Sequence, residues 1–256
     1  MNNDKLNILY TGLNSDNSAL EFFINSNKVN FVHFPTIEII EHKLSFFELE
    51  KIKNPDKYDY IIFTSINSVK YFLKYFDNNF SNMSCKAKVI AIGQKTASLL
   101  LKNNIDIDLI PQSSSSESID GMLTTSLINK KSILIPGSNL SKADLFSSLE
   151  SKGALVDFVA IYDNVVPENI PQSFIEKINL DDFDLFVFTS PSTYFNFVNI
   201  FKIENVLHFF SHKTIAAIGP VTKEALQKDN LEVKIVPSEY NLTALTNEII
   251  NYYKLN

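Results

Sequence analysis

Two similar stretches decide the fold, Tyr58–Ser65 (YDYIIFTS) and Phe183–Ser190 (FDLFVFTS). Each is a short apolar run that ends in Thr-Ser. Each continues into apolar residues spaced three to four apart, in Val69–Phe76 and Tyr194–Phe201. An apolar run followed by helical periodicity predicts a buried strand that leads into an amphipathic helix. The sequence therefore predicts two equivalent strand-helix units.

Further pairs of segments extend this repeat along the chain. Ile8–Gly12 (ILYTG) matches Ile133–Gly137 (ILIPG) at an offset of 125 residues, the same offset as position 183 against position 58. Ala87–Thr96 (AKVIAIGQKT) matches Lys213–Thr222 (KTIAAIGPVT) at an offset of 126. Solenoid repeats have periods of about 20 to 50 residues. A longer, constant offset indicates a duplicated domain.

The alternation of short apolar runs with helix-like stretches is typical of an α/β fold, a parallel sheet covered by helices in each copy. The predicted core strands are residues 6–10, 58–64, 88–92, 106–110, 132–136, 183–189, 214–218 and 231–236. Two half-polar strands, Val32–Ile39 and Val156–Val166, are predicted to link the two lobes. Pro55, Pro167 and Pro171 interrupt the segments that follow them.

Composition limits the kinds of protein that this chain can be. Its 256 residues are enough for two domains of about 100 to 150 residues each. It has no apolar run of about 18 residues and no basic-then-apolar opening, so we expect a soluble, cytoplasmic protein without a membrane partner. Cys85 is the only cysteine, which excludes a disulfide framework. The basic residues form no stripe, so we expect no nucleic-acid partner.

All 23 basic residues are lysine, in a chain whose net charge is −6. Any bound anion would therefore be held by lysine, hydroxyl and backbone N–H groups, without the bidentate fork of arginine. We attribute the absence of arginine to compositional bias, since Asn, Ile, Lys and Phe are abundant throughout the chain.

Small and hydroxyl-bearing residues follow the predicted strands. Ligands of open parallel sheets bind beyond the carboxyl ends of the strands, where helix N-termini present unpaired N–H groups. The serines and threonines could equally be helix N-caps, and the glycines could be simple turn residues. The candidate positions are Thr11, Ser65, Gly93, Thr96, Gly137, Ser190, Gly219 and Thr222.

Other kinds of site are not supported. The sequence contains no GxGxxG, no GxxxxGK[ST] and no GxSxG pattern. His208 and His212 are spaced i, i+4 but have no third ligand nearby in sequence, so we expect a solvated helix face and no metal site. Cys85 is interpreted as an ordinary thiol. Ser113–Glu117 is interpreted as a loop that leads into a helix cap.

An ordered set of motifs resembles the uroporphyrinogen-III synthase family over essentially the whole chain. In order, the motifs are Phe63–Asn67 (FTSIN), Ile92–Ala97 (IGQKTA), Ile161-Tyr162, Phe188–Ser192 (FTSPS), Ile218–Thr222 (IGPVT) and Pro237–Leu245. Each motif alone is weak, but the ordered set on a duplicated frame is fairly specific. The chain departs from the family pattern at Lys223, where many members have alanine, and in lacking arginine.

The resemblance implies two flavodoxin-like lobes joined by a two-stranded linker. Lobe 1 would comprise residues 1–31 and 167–256, the linker strands residues 32–41 and 156–166, and lobe 2 residues 42–155. The implied reaction closes hydroxymethylbilane, a linear tetrapyrrole with eight carboxylates, into uroporphyrinogen III. Water is lost and ring D is inverted through a spiro intermediate, with no cofactor. The implied protein is a hydro-lyase of heme biosynthesis, and we expect a monomer.

The resemblance also suggests roles for individual residues. Tyr162 matches the crossing-strand tyrosine and is the candidate catalytic residue, donating a proton or a hydrogen bond to the leaving hydroxyl of ring A. Ser65, Thr96, Ser190, Lys213 and Thr222 are the implied substrate contacts. By itself, Tyr162 would be interpreted as a tyrosine packed on a sheet, and Lys213 as an exposed lysine before a strand.

Two other functions remain open. A non-catalytic two-lobe protein that binds a small anionic ligand would use the same duplicated lobes. A pair of receiver-type regulatory domains would need acidic clusters at the strand ends. The turns of this chain are rich in hydroxyls and poor in acids, so this last function ranks lowest.

Overall fold

The computed structural model describes residues 5–13, 17–76, 86–111, 119, 121–141, 143–170 and 172–255. Within these residues the strands are β1 Leu6–Tyr10, β2 Val29–His33, β3 Glu38–Glu41, β4 Tyr60–Phe63, β5 Lys88–Ala91, β6 Ser132–Ser138, β7 Leu155–Val165, β8 Leu185–Phe188 and β9 Thr214–Ala217.

The helices of the described residues alternate with these strands, as the periodicity predicts. They are α1 Glu21–Asn25, α2 Phe46–Lys53, α3 Ile66–Lys74, α4 Gln94–Lys102, α5 Thr125–Ile128, α6 Ala143–Ser151, α7 Gln172–Lys177, α8 Pro191–Ile200, α9 Val206–Phe210, α10 Pro220–Lys228 and α11 Leu242–Tyr253. Short 3₁₀ turns lie at Asn17–Leu20, Pro55–Lys57 and Leu180–Asp182.

Unit 1 of the chain comprises Met1–Glu38 and Val165–Asn256. Its sheet has the strand order β2-β1-β8-β9, and every neighbouring pair is parallel. A single bridge from Ala216 to Ile235 extends the sheet beyond β9. This is the flavodoxin-like order 2-1-3-4-5, with the bridge in the place of the fifth strand.

Unit 2 comprises Ile39–Asn164 and has the sheet order β3-β7-β6-β4-β5. The pairs β7-β6, β6-β4 and β4-β5 are parallel. A bridge from Ile90 to Leu109 follows β5. The order β7-β6-β4-β5 followed by the bridge is again the flavodoxin-like order 2-1-3-4-5. In it β6 takes the place of strand 1 and β7 the place of strand 2, although both come last along the chain among the strands of unit 2.

Both faces of each sheet are buried, as is typical of parallel sheets covered by helices. In unit 1, Leu185 and Val187 of β8 pack on one face, while Phe186 and Phe188 pack on the other. In unit 2, Ile61 and Phe63 of β4 face one cluster, and Tyr60 and Ile62 face another. The repeated apolar runs are therefore the central strands of both units.

The α/β fold predicted from the sequence is confirmed, but several predicted strands differ in length. The strand predicted at Val32–Ile39 is wrong, since β2 ends at His33 and β3 starts at Glu38. Pro35 has no N–H for a ladder. The amides on either side of it bond to the end of β1 and to the residue after it: Phe34 N donates to Tyr10 O (2.9 Å) and Thr36 N to Thr11 O (3.1 Å).

The strands predicted at 106–110 and 231–236 are each reduced to a single bridge. Near the first bridge, the Asp108 carboxylate accepts the hydrogen bond of Val89 N (2.8 Å), so this amide does not pair with a backbone carbonyl. At the second bridge, Ile235 pairs with β9 at the sheet edge, where a partner is present on one side only.

The segments predicted as linkers are mostly strands of the two sheets. Residues 32–33 belong to β2, and 156–165 belong to β7, which pairs with β6 from Leu155 to Tyr162. β3 lies beside β7 in the same five-stranded sheet. The lobe limits given above stay a prediction.

None of the helices in the described residues is both long and apolar enough to cross a membrane.

Candidate active site

In unit 2, the turn after β4 places Ser65 at the N-cap of α3. Ser65 Oγ accepts a hydrogen bond from Ser68 N (3.0 Å), and Ser68 Oγ accepts one from Ser65 N (3.2 Å). This reciprocal capping satisfies amide groups that the first turn of a helix leaves unpaired. The N-cap role considered from the sequence is therefore real, and it fixes the Ser65 side chain at the carboxyl edge of the sheet.

Tyr162 of β7 meets Ser65 at this edge. Its phenolic oxygen lies 3.0 Å from Ser65 Oγ, and the tyrosine is only 6 % exposed. Its ring stacks on Tyr71 of α3, with the ring centroids 5.5 Å apart. Tyr71 is itself held by a hydrogen bond from its hydroxyl to Ile39 O (3.0 Å). Tyr162 is thus fixed at both its ring and its hydroxyl.

Burial raises the pKa of Tyr162 above its ordinary value of about 10, although hydrogen bonds to Ser65 and Ser138 oppose the shift. The sign follows from desolvation, which penalises the phenolate more than the neutral phenol. Tyr162 therefore keeps its proton throughout the neutral range. The site offers a neutral hydroxyl that can donate one hydrogen bond.

Ser138 is a second neighbour of the Tyr162 hydroxyl, at a bulge where the β6-β7 register shifts. Ser138 Oγ accepts hydrogen bonds from Leu140 N (2.9 Å) and Asn164 Nδ2 (2.7 Å). The preceding Gly137 is explained by packing alone, because a Cβ there would lie 2.6 Å from the Phe158 ring. Gly137 thus leaves room for the Phe158 ring, and Ser138 is the polar side chain of this turn.

Gly93 and Thr96 lie beside Ser65, because Ile92 N donates to Phe63 O (2.9 Å) and so joins the ends of β5 and β4. Gly93 has a φ of 87°, which favours glycine, and it is the N-cap of α4 without a side chain to cap it. Thr96 is 3 % exposed, yet its hydroxyl has no hydrogen-bond partner among the described residues. The first turn of α4 therefore presents unpaired donors at this edge.

Unit 1 repeats the arrangement. Ser190 caps α8 in a reciprocal pair with Thr193, at 3.2 Å in each direction. Ile218 N donates to Phe188 O (3.1 Å), which brings the Gly219 turn beside Ser190. Thr222 is 3 % exposed, and its hydroxyl also lacks a partner within the described part of the chain. Thr96 and Thr222 are therefore equivalent free hydroxyls in the two units.

Neither Thr96 Oγ1 nor Thr222 Oγ1 is sealed inside the protein. Over the described ranges, Thr246 Oγ1 is the one fully buried side-chain polar atom without a hydrogen-bond partner. The unpaired oxygens of Thr96 and Thr222 consequently keep some exposed surface. Both hydroxyls can make a further hydrogen bond.

Two predicted contacts lie elsewhere in unit 1. Thr11 is fully buried, and its hydroxyl donates to Val187 O (2.8 Å), so it joins β1 to β8. Lys213 precedes β9 and so lies at the amino edge, opposite Ser190 and Thr222. Its Nζ donates to Leu180 O (3.0 Å) and Phe183 O (3.1 Å). Burial lowers the pKa of Lys213. The structure separates Lys213 from the candidate site.

Three residues of the two units were not predicted from the sequence. Tyr71 stacks on Tyr162, Asn164 donates a hydrogen bond to Ser138, and His33 is the last residue of β2. Tyr71 shares the apolar spacing of α3 and gave no separate signal. Asn164 and His33 depend on strand pairing that the linear sequence does not show.

His208 and His212 are exposed, and no group of three or more His, Cys, Asp or Glu side chains in the described residues could hold a metal. Two further predictions from the sequence, the ordinary thiol of Cys85 and the loop at Ser113–Glu117, lie outside the described residues.

Comparisons with known proteins identify the family of this chain. A family model described as uroporphyrinogen-III synthase HemD matches residues 23–247. The chain is 27% identical over 215 residues to a uroporphyrinogen-III synthase of Chlorobaculum parvum, covering 82% of this chain and 84% of the relative. It is 26% identical over 194 residues to a uroporphyrinogen-III synthase of Synechococcus elongatus, covering 73% of each.

Solved structures show the same fold at lower sequence identity. A mutant uroporphyrinogen III synthase from Thermus thermophilus has a TM-score of 0.67 at 13% identity, with 98% of this chain and 100% of that chain covered. The Helicobacter pylori uroporphyrinogen-III synthetase has a TM-score of 0.66 at 16% identity, with 96% and 99% covered. Since the family model spans most of the 256 residues, the chain belongs to the uroporphyrinogen-III synthase family.

Proposed function

We propose that this chain catalyses the cyclisation of hydroxymethylbilane to uroporphyrinogen III, as a lyase of tetrapyrrole biosynthesis. The observation that carries the proposal is the fixed Tyr162–Ser65 pair, 3.0 Å apart, at the carboxyl edge of a flavodoxin-like sheet in a member of this family. The substrate closes with loss of water and inversion of ring D through a spiro intermediate.

The carboxylates of the substrate need hydrogen-bond donors. Backbone N–H groups at the starts of α3, α4, α8 and α10 are available, together with the hydroxyls of Thr96 and Thr222. Hydrogen bonds to charged groups contribute about 1.5 to 3 kcal/mol each. Several such bonds within each unit can hold carboxylates of the substrate in a chain without arginine.

Positioning is the main task of the site. The unaided bilane tends to close without inversion, so the protein must favour a spiro-like arrangement of the two end rings. Interactions made only in that arrangement lower its free energy relative to the direct closure and so select the product. Rigid turns, each fixed by a capping pair such as Ser65 with Ser68, suit this role.

Tyr162 is proposed to donate a hydrogen bond to the hydroxyl that leaves ring A. The C–O bond breaks, and the hydroxyl departs as water with one added proton. Ring closure releases one proton, so the net products are uroporphyrinogen III and water. Because its pKa is raised, Tyr162 assists chiefly as a neutral hydrogen-bond donor and is too weak an acid to give up its proton completely.

The test is turnover with freshly generated hydroxymethylbilane, followed by oxidation and chromatographic separation of the type I and type III uroporphyrin isomers. We expect an excess of type III that scales with protein concentration. Type I alone, formed at the rate without protein from a folded sample, would contradict the proposal. That result would favour a non-catalytic protein that binds a small anionic ligand.

A further inference from the structure

His33 is the last residue of β2, at the same carboxyl edge of unit 1 as the turn after β1. Its Nε2 lies 2.7 Å from the carbonyl oxygen of Gly12. A carbonyl oxygen only accepts hydrogen bonds, so Nε2 carries the hydrogen in this contact. This bond assigns the tautomer of the neutral ring and leaves Nδ1 as its second polar atom.

The partner of His33 is held in place by tight packing. A Cβ on Gly12 would lie 2.3 Å from the Tyr10 hydroxyl and 2.8 Å from Thr189 Oγ1, so any larger residue would displace these two side chains. The imidazole centroid is 5.2 Å from that of the Tyr10 ring. Beyond His33, Phe34 N is bonded to Tyr10 O (2.9 Å). The imidazole is therefore held by the hydrogen bond of Nε2 and by contact of the ring with Tyr10.

Nδ1 of His33 is free to bind a ligand. It has no hydrogen-bond partner within the residues that the structure describes, and it is not a fully buried polar atom. The residue as a whole is half-buried. A protonated ring would donate Nδ1–H outward while Nε2–H stays on Gly12.

We propose that His33 binds a carboxylate of the substrate through Nδ1–H. The inference rests on the proposed function and extends it to a residue outside the family motifs quoted above. Among the last residues of the four strands of unit 1, which are Tyr10, His33, Phe188 and Ala217, it alone can carry a positive charge. In a chain without arginine, this side chain supplies a charged donor at the edge where Ser190 and Thr222 lie.

β1 and α1 are the elements that pack most closely against β2, and each contains one titratable side chain. β1 offers only Tyr10, whose pKa burial raises to about 12, so it stays neutral. The packed helix α1 contains one titratable side chain, Glu21. β1 and α1 therefore carry no second positively charged side chain.

The first experiment compares wild type with His33→Gln, whose amide N–H can still donate to Gly12 O but carries no charge. His212→Gln is the matched control, because His212 is an exposed histidine beside Lys213 at the opposite edge. We expect KM for hydroxymethylbilane to rise about tenfold in His33→Gln, the effect of losing one charge-assisted bond. We expect kcat to change less than about twofold, and the control to match wild type.

The split between KM and kcat distinguishes binding from a structural role. A structural role would instead lower the free energy of unfolding of His33→Gln, so urea unfolding of both variants is measured beside KM. An unchanged KM in His33→Gln, or a loss confined to kcat, would overturn the inference.

Binding of uroporphyrin III, the stable oxidised form of the product, separates this inference from the proposed function. If wild type forms no type III product, the proposed function is contradicted, but the inference about His33 is not. Weaker uroporphyrin binding by His33→Gln than by His212→Gln at pH 6 would support carboxylate binding by His33 even in that case. Equal binding by both variants would overturn the inference about His33.

Discussion

Ser65 Oγ and Tyr162 OH lie 3.0 Å apart and join the start of α3 to β7, 97 positions further along the chain. Each hydroxyl has one hydrogen, and Ser65 Oγ already accepts the amide hydrogen of Ser68. If Ser65 donates its hydrogen to Tyr162, the phenolic hydrogen remains available for the substrate. The pair can therefore present Tyr162 as a donor without moving either side chain.

The first prediction is that Tyr162→Phe lowers kcat for type III product by about tenfold to a hundredfold, near the lower end of general acid catalysis because the raised pKa weakens the acid. Tyr71→Phe is the matched control. It keeps the ring that stacks on Tyr162 and loses only the bond to Ile39 O. Initial rates and isomer ratios measure the effect. Nearly full activity with normal product in Tyr162→Phe would exclude the donor role.

The second prediction concerns alkaline pH. Since burial raises the pKa of Tyr162 above its ordinary value of about 10, the phenol stays neutral between pH 7 and 9. Deprotonation of Tyr162 should therefore cause no loss of activity between pH 7 and 9. Ratios of wild-type to Tyr162→Phe rates over that range should stay constant. A ratio that falls towards one by pH 9 would show that Tyr162 ionises early and would contradict the direction of the shift.

Much of this edge could be predicted from the sequence. Ser65 and Gly93 follow apolar strands of unit 2, and Ser190 and Gly219 follow apolar strands of unit 1. Within each sheet, parallel strands bring their carboxyl ends to one edge. The same rule could have excluded Lys213, because it precedes its strand and must lie at the opposite edge.

Other features depend on contacts that sequence does not encode locally. Thr11 follows β1 as predicted, but the hydroxyl is used by Val187 O, which is 176 positions away. The stacking of Tyr71 on Tyr162 and the bond from His33 to Gly12 likewise need the strands and helices in place. Spacing along the chain predicts which edge a residue lies on, whereas the direction of its side chain follows from packing.

The third prediction is that Thr222→Val raises KM about threefold to tenfold while the free energy of unfolding changes little. Valine has nearly the shape of threonine, and the hydroxyl that it removes has no partner in the described structure. Thr96→Val should act in the same direction, since it is the equivalent position of the other unit. Steady-state kinetics, with circular dichroism to check folding, measure both. An unchanged KM in both variants would remove these hydroxyls from the substrate site.

The fourth prediction is that Lys213→Met destabilises the protein by about 1 to 2 kcal/mol and leaves KM unchanged. The Lys213 ammonium donates to Leu180 O and Phe183 O and lies 5.5 Å from the centroid of the Phe186 ring. Loss of these contacts leaves carbonyls without a donor, although partial exposure reduces the cost. Urea unfolding gives the stability change. A higher KM with unchanged stability would return Lys213 to the substrate site.

The last prediction uses Thr246 of α11, whose hydroxyl is buried without a partner. A buried hydroxyl that makes no hydrogen bond costs about 1 to 3 kcal/mol, and valine and threonine have similar helix propensities. Thr246→Val should therefore stabilise the protein by about 1 kcal/mol, a rise in Tm of roughly 2 to 4 °C.

Thr193→Val is the matched opposite of Thr246→Val, because the Thr193 hydroxyl accepts from Ser190 N (3.2 Å) and donates to Ser190 O (2.8 Å). It should destabilise the protein by about 1 to 2 kcal/mol, since a capping pair is lost. Urea unfolding of both variants makes the comparison. The two threonines are both nearly fully buried but differ in hydrogen bonding. The two substitutions must therefore change the free energy of unfolding in opposite directions. Destabilisation by both would mean that Thr246 finds a partner in solution.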